Sequence, residues 1–286
     1  MSQSTAPKVS IIIPAFNMEQ HIGETLDSAL SQTFTSFEVI VVDDCSTDST
    51  PAIVSDYIAR DSRVRYVRLN ENSNRPAVPR NRGIIEASGQ YIAFLDHDDT
   101  WEEYKLERQV RVLDSRPNIA LVHSHLLVVE GSKRSRGFLY LPNPFRLRAS
   151  YEVLRRRNLV QCSAAIGRTE VFRELGGFDE RPELRAVEDY HLWLRLSKEH
   201  GIAYIPEIHG RYRFAPTSTS SLENMQERQK YLDSHERTLL AASRPSLPKR
   251  LFLKLGGYPI AVYFHLIDGR IRRILGLPPK VFRPRT

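Results

Sequence analysis

Four stretches rich in β-branched and aromatic residues, Val9 to Phe16, Phe37 to Val42, Val64 to Leu69 and Tyr91 to Leu95, alternate with stretches of helical spacing. This rhythm constrains the fold more than any other feature. Apolar runs of that length read as strands buried on both faces, the habit of parallel sheets. The segment after the first run places Ile22, Leu26 and Leu30 on one helical face. Ser46-Thr47-Asp48-Ser49-Thr50-Pro51 then supplies N-cap chemistry and an early proline for a helix over Ala52 to Arg60, and Arg80 to Ala87 reads as a third helix. The expected class is α/β, with a mainly parallel, Rossmann-like sheet flanked by helices on both faces.

Sheets of this kind bind ligands beyond the carboxyl ends of their strands. Asn17 follows the first run, Asp43-Asp44 close the second, and Asp96-His97-Asp98-Asp99 close the fourth. Three carboxylates within four residues raise one another's pKa unless a cation neutralises them, and an oxygen-only donor set suits a hard ion such as Mg2+ or Mn2+. A solvated acidic turn capping the next helix is the plainer account of that cluster. The gathering of polar strand ends at one rim favours a site. No Gly-x-Gly-x-x-Gly follows the first run and no P-loop appears, which speaks against a dinucleotide cofactor.

A chain of 286 residues can bury a full core, so one large domain with a smaller appendage is expected. Cys45 and Cys162 fit neither a disulfide framework nor a paired metal motif and read as reduced thiols in a cytosolic setting. Met1 to Lys8 is polar and lacks the order of a secretory signal, so the expected location is cytoplasmic. The net charge of +7 resembles a nucleic-acid signature until it is placed along the chain. Ten basic residues and the single acid Asp268 lie from Arg244 onward, which leaves residues 1–243 at −2. A near-neutral body with a basic tail does not call for nucleic acid.

Past Asp99 the rhythm changes. The spacing predicts a helix over Trp101 to Leu113, a strand over Ile119 to Val129, and a basic, proline-containing loop over the site from Gly131 to Arg148. A short strand at Ser163 to Ile166 follows, then a helix over Thr169 to Leu175 closed by Gly176-Gly177, and an amphipathic helix over Val187 to Glu199. Glu188-Asp189 open this last helix, where its dipole favours ionised carboxylates. They serve either that helix alone or a reaction that needs a base.

Five segments taken in order, Val9-Ser10-Ile11-Ile12-Ile13-Pro14-Ala15-Phe16-Asn17, Val41-Val42-Asp43-Asp44-Cys45-Ser46-Thr47-Asp48, Arg80-Asn81-Arg82-Gly83, Leu95-Asp96-His97-Asp98-Asp99 and Gly176-Gly177-Phe178-Asp179 with Glu188-Asp189 beyond it, closely resemble the family 2 glycosyltransferases. These are inverting enzymes of the GT-A fold. The match runs over about residues 9–220, with a nucleotide-binding half at 9–100 and an acceptor half at 101–220. Residues 1–8 form a flexible start, and 221–286 a helical, basic extension.

The resemblance implies a nucleotide-diphospho-sugar donor, foremost a UDP-sugar, and a divalent metal, Mn2+ or Mg2+, on its diphosphate. Asp98 would be the direct ligand, with Asp96 on the ribose or in the metal's water shell. Asp43 or Asp44 would accept hydrogen bonds from the base, a charge-assisted contact. Pro14, Ala15 and Asn17 would line the base and ribose pocket, and Arg80 would support the nucleotide, although Pro79 stands where relatives often have alanine. Asp189 would be the catalytic base, with Glu188 supporting it. His97 is read as a packing or solvated residue. In Tyr212-Arg213-Phe214-Ala215, alanine occupies the place of a histidine that completes the metal site in relatives, and His209 is the nearby candidate to substitute.

Leu251 to Ile267 is apolar but interrupted by Lys254, Gly256-Gly257, Pro259 and His265, whereas a membrane span wants about 20 mostly apolar residues. A segment lying on an anionic membrane surface through residues 244–286 fits better, beside the alternative of a helix packed on the body. The function expected is metal-dependent sugar transfer to a hydroxyl of a glycan or lipid-linked glycan in cell-surface polysaccharide biosynthesis, with the enzyme peripheral on the cytoplasmic membrane face. Two rivals are a sugar nucleotidyltransferase, which lacks its Gly-rich phosphate loop here, and a non-catalytic membrane- or nucleic-acid-binding module built on the tail.

Overall fold

The computed structural model describes residues 6–130, 133–138, 150–155 and 158–214. Ala215, most of the basic stretch 131–148 and the extension 221–286 lie outside the described residues. The first half follows the expected alternation: β1 (Val9–Ala15), α1 (Ile22–Leu30), β2 (Phe37–Asp43), α2 (Thr50–Arg60), β3 (Val64–Arg68), α3 (Ala77–Glu86) and β4 (Tyr91–Phe94). The second half contains β5 (Thr100–Trp101), α4 (Lys105–Ser115), β6 (Ile119–Glu130), β7 (Lys133–Phe138), α5 (Tyr151–Leu154), β8 (Ile166–Arg168), α6 (Thr169–Glu174), α7 (Glu188–Glu199) and β9 (Gly201–Phe214).

One sheet joins both halves in the order β3-β2-β1-β4-β8-β6-β9-β5, with β7 paired to β6. Strands β3, β2, β1 and β4 are parallel, whereas β8 runs antiparallel to both β4 and β6. Side chains alternate across β1, so Ile12 enters one core layer and Ile11 and Ile13 the other. Ile12 shares its layer with Ile84 of α3, Phe172 of α6 and Trp193 of α7. The opposite layer carries Leu26 of α1, Val54 of α2 and Val110 of α4. Helices therefore cover both faces, and the strand ends stay free to carry chemistry.

Close approach explains two of the glycines. A Cβ at Gly83 would lie 2.4 Å from Ile12 Cγ2, so α3 can sit this near β1 only with glycine there. Gly177 has φ +70°, and a Cβ would meet Asn81 Oδ1 at 2.3 Å. Asn81 in turn accepts the Phe178 amide at 2.7 Å and donates to the Phe178 carbonyl at 2.8 Å, which stitches α3 to the turn after α6.

Several local expectations are corrected. The third helix starts at Ala77, not Arg80, and Pro79 sits in its first turn, where an N–H has no partner within the helix. Thr100–Trp101 pair with Arg211 and Gly210 as strand, so the next helix begins only at Lys105. Ser163 belongs to a 3-10 turn, Cys162–Ala164, and the strand follows at Ile166. Part of the expected loop, Lys133–Phe138, is a strand because β6 offers it a free edge. The long β9 gave no clear apolar alternation in the sequence and is held by its parallel pairing with β6. Both cysteines are free thiols.

Candidate functional site

The ends of β1 and β2 are locked together. Asn17, at φ +50°, accepts the Thr47 amide on its Oδ1 at 2.8 Å, while its own amide donates to Ser46 Oγ at 2.9 Å. The Ser46 hydroxyl donates to Asp43, which also accepts from Tyr66 Oη at 2.7 Å and pairs with Arg68 at 3.3 Å. Asp43 is wholly buried, so this carboxylate acts as a lock on the rim. Asp44 takes the Ser73 amide at 2.8 Å and the Ser73 hydroxyl at 2.9 Å, which fixes the loop before α3. Between these anchors Phe16 is 39% exposed, an aromatic face at the rim that the sequence reading passed over.

The acidic turn after β4 is tied from three sides. His97 Nδ1 lies 2.8 Å from the Pro14 carbonyl, which requires its proton there. Thr25 Oγ1 donates to the carbonyls of His97 and Asp99, each at 2.9 Å. From β9, Arg213 donates its amide to Asp99 Oδ1 at 2.9 Å, its Nε to the Asp98 carbonyl at 3.1 Å and its Nη2 to Glu24 at 2.7 Å. Asp99 is buried with Oδ2 unpartnered. Burial, and then the neighbouring charges of Asp98 and Asp96, push its pKa well up. Asp98 is half-buried, and burial followed by the Asp96 charge raises its pKa against the opposing influence of His97.

Behind this turn Arg80 is buried, with its guanidinium split between two carboxylates. Nη2 donates to Asp96 Oδ1 and Nη1 to Glu188 Oε1, both at 2.6 Å. One cation thus joins the end of β4 to the start of α7, and at 5% exposure it is a clamp between carboxylates. Next to Glu188, Asp189 accepts from Asn158 Nδ2 at 3.4 Å. Its pKa is pushed up to about 7, chiefly by burial and then by the Glu188 charge, with Arg80 opposing. A carboxylate poised there can take a proton near neutral pH.

The fold therefore brings Asp96, Arg80, Glu188 and Asp189 together and hangs Asp98 and Asp99 on the same turn as Asp96. His209 does not join them. It is buried, with Nε2 3.1 Å from Glu207 and its ring against Tyr104 beside α4. Among the described residues, three donor atoms within 4.8 Å of one another occur only at Glu174, Glu199 and His200, at the other end of α7. The acidic turn offers carboxylates for a cation but leaves most of its coordination to a ligand. Arg213 and Ser163 were missed in the sequence. The former lay inside a recognised segment, and the latter gave no signal beyond a small polar residue among apolar ones.

The comparisons agree with this geometry. Residues 10–176 match the family described as glycosyl transferase family 2. A teichuronic acid biosynthesis glycosyltransferase of Bacillus subtilis, TuaG, described as putative, is 33% identical over 75% of this chain and 82% of its own. A UDP-Glc:alpha-D-GlcNAc-diphosphoundecaprenol beta-1,3-glucosyltransferase of Escherichia coli, WfgD, is 31% identical over 74% and 79%. The crystal structure of S. aureus TarS 1-349 in complex with UDP-GlcNAc superposes with a TM-score of 0.63 at 22% identity, over 79% of this chain and 66% of that one, just under two thirds. The sheet order, the acidic turn and the sequence match together show that this chain has the GT-A fold and belongs to glycosyl transferase family 2.

Proposed function

We propose that the protein is a metal-dependent, inverting glycosyltransferase that takes a sugar from a UDP-sugar and delivers it to a hydroxyl of a lipid-linked glycan in cell-surface polysaccharide synthesis. The observation that carries this reading is the Arg80 clamp, which sets a base with a pKa of about 7 next to the acidic turn at the strand ends. Asp189 accepts the proton of the acceptor hydroxyl, whose oxygen attacks the anomeric carbon from the side opposite the diphosphate. The bond to the diphosphate breaks with its electron pair, and a single displacement inverts the centre. Glu188 raises the basicity of Asp189 by its charge while Arg80 holds it in place.

Oxygen donors with uncompensated charge fit a divalent cation, Mn2+ or Mg2+, and Asp98 would hold it with Asp96 beside it. Such an ion supplies charge neutralisation on the departing diphosphate. Phe16, Pro14, Ala15, Asn17 and Asp44 line the rim where the nucleoside would lie. A UDP donor and a lipid-linked acceptor are the chemistry named for the WfgD relative. No helix among the described residues is long and apolar enough to cross a membrane. The basic residues from Arg244 onward suit attachment to the cytoplasmic face, at about 1 kcal/mol per Lys or Arg near an anionic leaflet.

Thermal-shift titration with UDP-, GDP- and dTDP-sugars, each with and without Mn2+, tests the reading, because a ligand of the native state raises apparent stability by mass action. A metal-dependent rise with UDP-sugars is expected. No shift with any nucleotide sugar would overturn it.

A further inference from the structure

The turn Cys162–Ala164 is buried between the two halves of the site, and none of its residues belongs to the recognised segments. Ser163 is 2% exposed, and its Oγ accepts the Asp96 amide at 3.0 Å. The same hydroxyl has one proton to give, and it faces the Asp99 carboxylate. A single side chain therefore bridges the first and last acids of the Asp96–Asp99 turn. The neighbouring Cys162 feels the charges of Arg80, Asp96, Asp189 and Glu188, which places the turn against both the acidic turn and the start of α7.

Something costly holds this turn from behind. The Ser163 carbonyl accepts Trp101 Nε1 at 2.7 Å, and the Ala164 carbonyl accepts Gln109 Nε2 at 2.9 Å. Gln109 Oε1 accepts Lys105 Nζ at 2.7 Å, and that nitrogen lies 3.9 Å from the centre of the Trp101 ring. Lys105 and Gln109 are both wholly buried on α4. An apolar pair would fill the same space without the desolvation cost of a lysine. Their hydrogen bonds converge on the backbone of the turn that presents Ser163.

We propose that Ser163 is a positioning residue that holds the Asp96–Asp99 turn in the shape that receives a metal-bound nucleoside diphosphate. This rests on the reading under Proposed function. Without the hydroxyl, the half-buried Asp96 amide loses its acceptor and Asp99 loses its facing donor, so the turn relaxes and Asp98 moves off its aim. The rest of the fold, including Asp189, keeps its place.

Calorimetry of UDP binding in the presence of Mn2+, on the full chain, tests this. Ser163→Ala is expected to raise Kd roughly 5–30-fold, the factor that follows from orphaning one half-buried amide. Ser163→Thr restores binding to within about threefold, since it keeps the hydroxyl. The pH at which kcat rises is unmoved in both, because Asp189 keeps its surroundings, whereas a general loosening of the core would move it. If Ser163→Ala does not fold, Ser163→Cys is read by the same criterion, because its thiol is a weak acceptor. Binding by the alanine or cysteine variant within twofold of the wild type overturns the proposal, as does a folded threonine variant as weak as alanine. Wild-type protein that fails to bind UDP with Mn2+ sinks the functional reading and this one with it.

Discussion

In the first half of the chain, β1, β2 and β4 run parallel, and each strand delivers its polar residues within a few positions of its own end. In the second half, Ser163 rides a 3-10 turn, Glu188 and Asp189 open a helix, and Arg213 arrives on a strand paired in parallel to β6. The first arrangement follows from local geometry. A parallel strand buried on both faces must be apolar until it ends, so its first polar residue is at the rim. In the second arrangement each side chain reaches the site through contacts with distant segments, and Arg80 is the junction between the two.

The comparison breaks most visibly at the acids themselves. Asp98→Asn is expected to cut transfer by roughly 10³-fold or more, since a ligand to a diphosphate-bound metal carries several kcal/mol of charge stabilisation. Circular dichroism should show an intact fold, and chelator should reproduce the loss in the wild type. Asp189→Asn is expected to cost roughly 10²–10⁴ in kcat while leaving UDP-sugar affinity near that of the wild type. Equal damage to both binding and turnover in that variant would erase the division of labour between the two sides.

Arg80 tests the junction through stability. Arg80→Met leaves Asp96 and Glu188 without their cation and should destabilise the protein by about 3–5 kcal/mol, measured by denaturant unfolding. Arg80→Lys should recover little, because one ammonium cannot span two carboxylates as a guanidinium does. A fully stable Arg80→Met protein would mean that the halves are held together elsewhere.

The pH profile sharpens the comparison further. Only deprotonated Asp189 can act as base, so kcat/KM should fall about tenfold per unit below pH 7 and level off above it. Glu188→Gln removes the second-largest cause of the raised value and frees Arg80, both of which move the rising limb to lower pH. An unmoved limb would take Asp189 out of the role. The smallest effect belongs to the surface: Glu24→Ala removes an exposed partner of Arg213 and should cost less than about 1 kcal/mol.

How legible these parts were in the sequence follows the same division. Strand runs, helical faces and acids at strand ends are periodic or terminal features, and in the first half most of them could be placed from spacing, although the third helix begins three residues before its expected start. His97, read as a packing or solvated residue, meets the Pro14 carbonyl. Arg80, expected to support the nucleotide, is also a buried clamp, a contact the sequence did not suggest because its partner Glu188 is 108 residues away. Ser163, Phe16 and Arg213 were overlooked for related reasons. Nothing in the composition of a short segment says which distant carboxylate or open rim it will meet.

What the chain determined by itself is therefore the parallel core and the rim of acids that a buried strand must end on. The packing of the second half decided which of those acids are locked, which are clamped and which are buried with an oxygen left unpartnered. The physical reason is burial. Periodicity fixes which face of an element is apolar, but desolvation and long-range pairing, which set the pKa of Asp189 and the aim of the acidic turn, exist only once α3, α4 and α7 have closed around the strand ends.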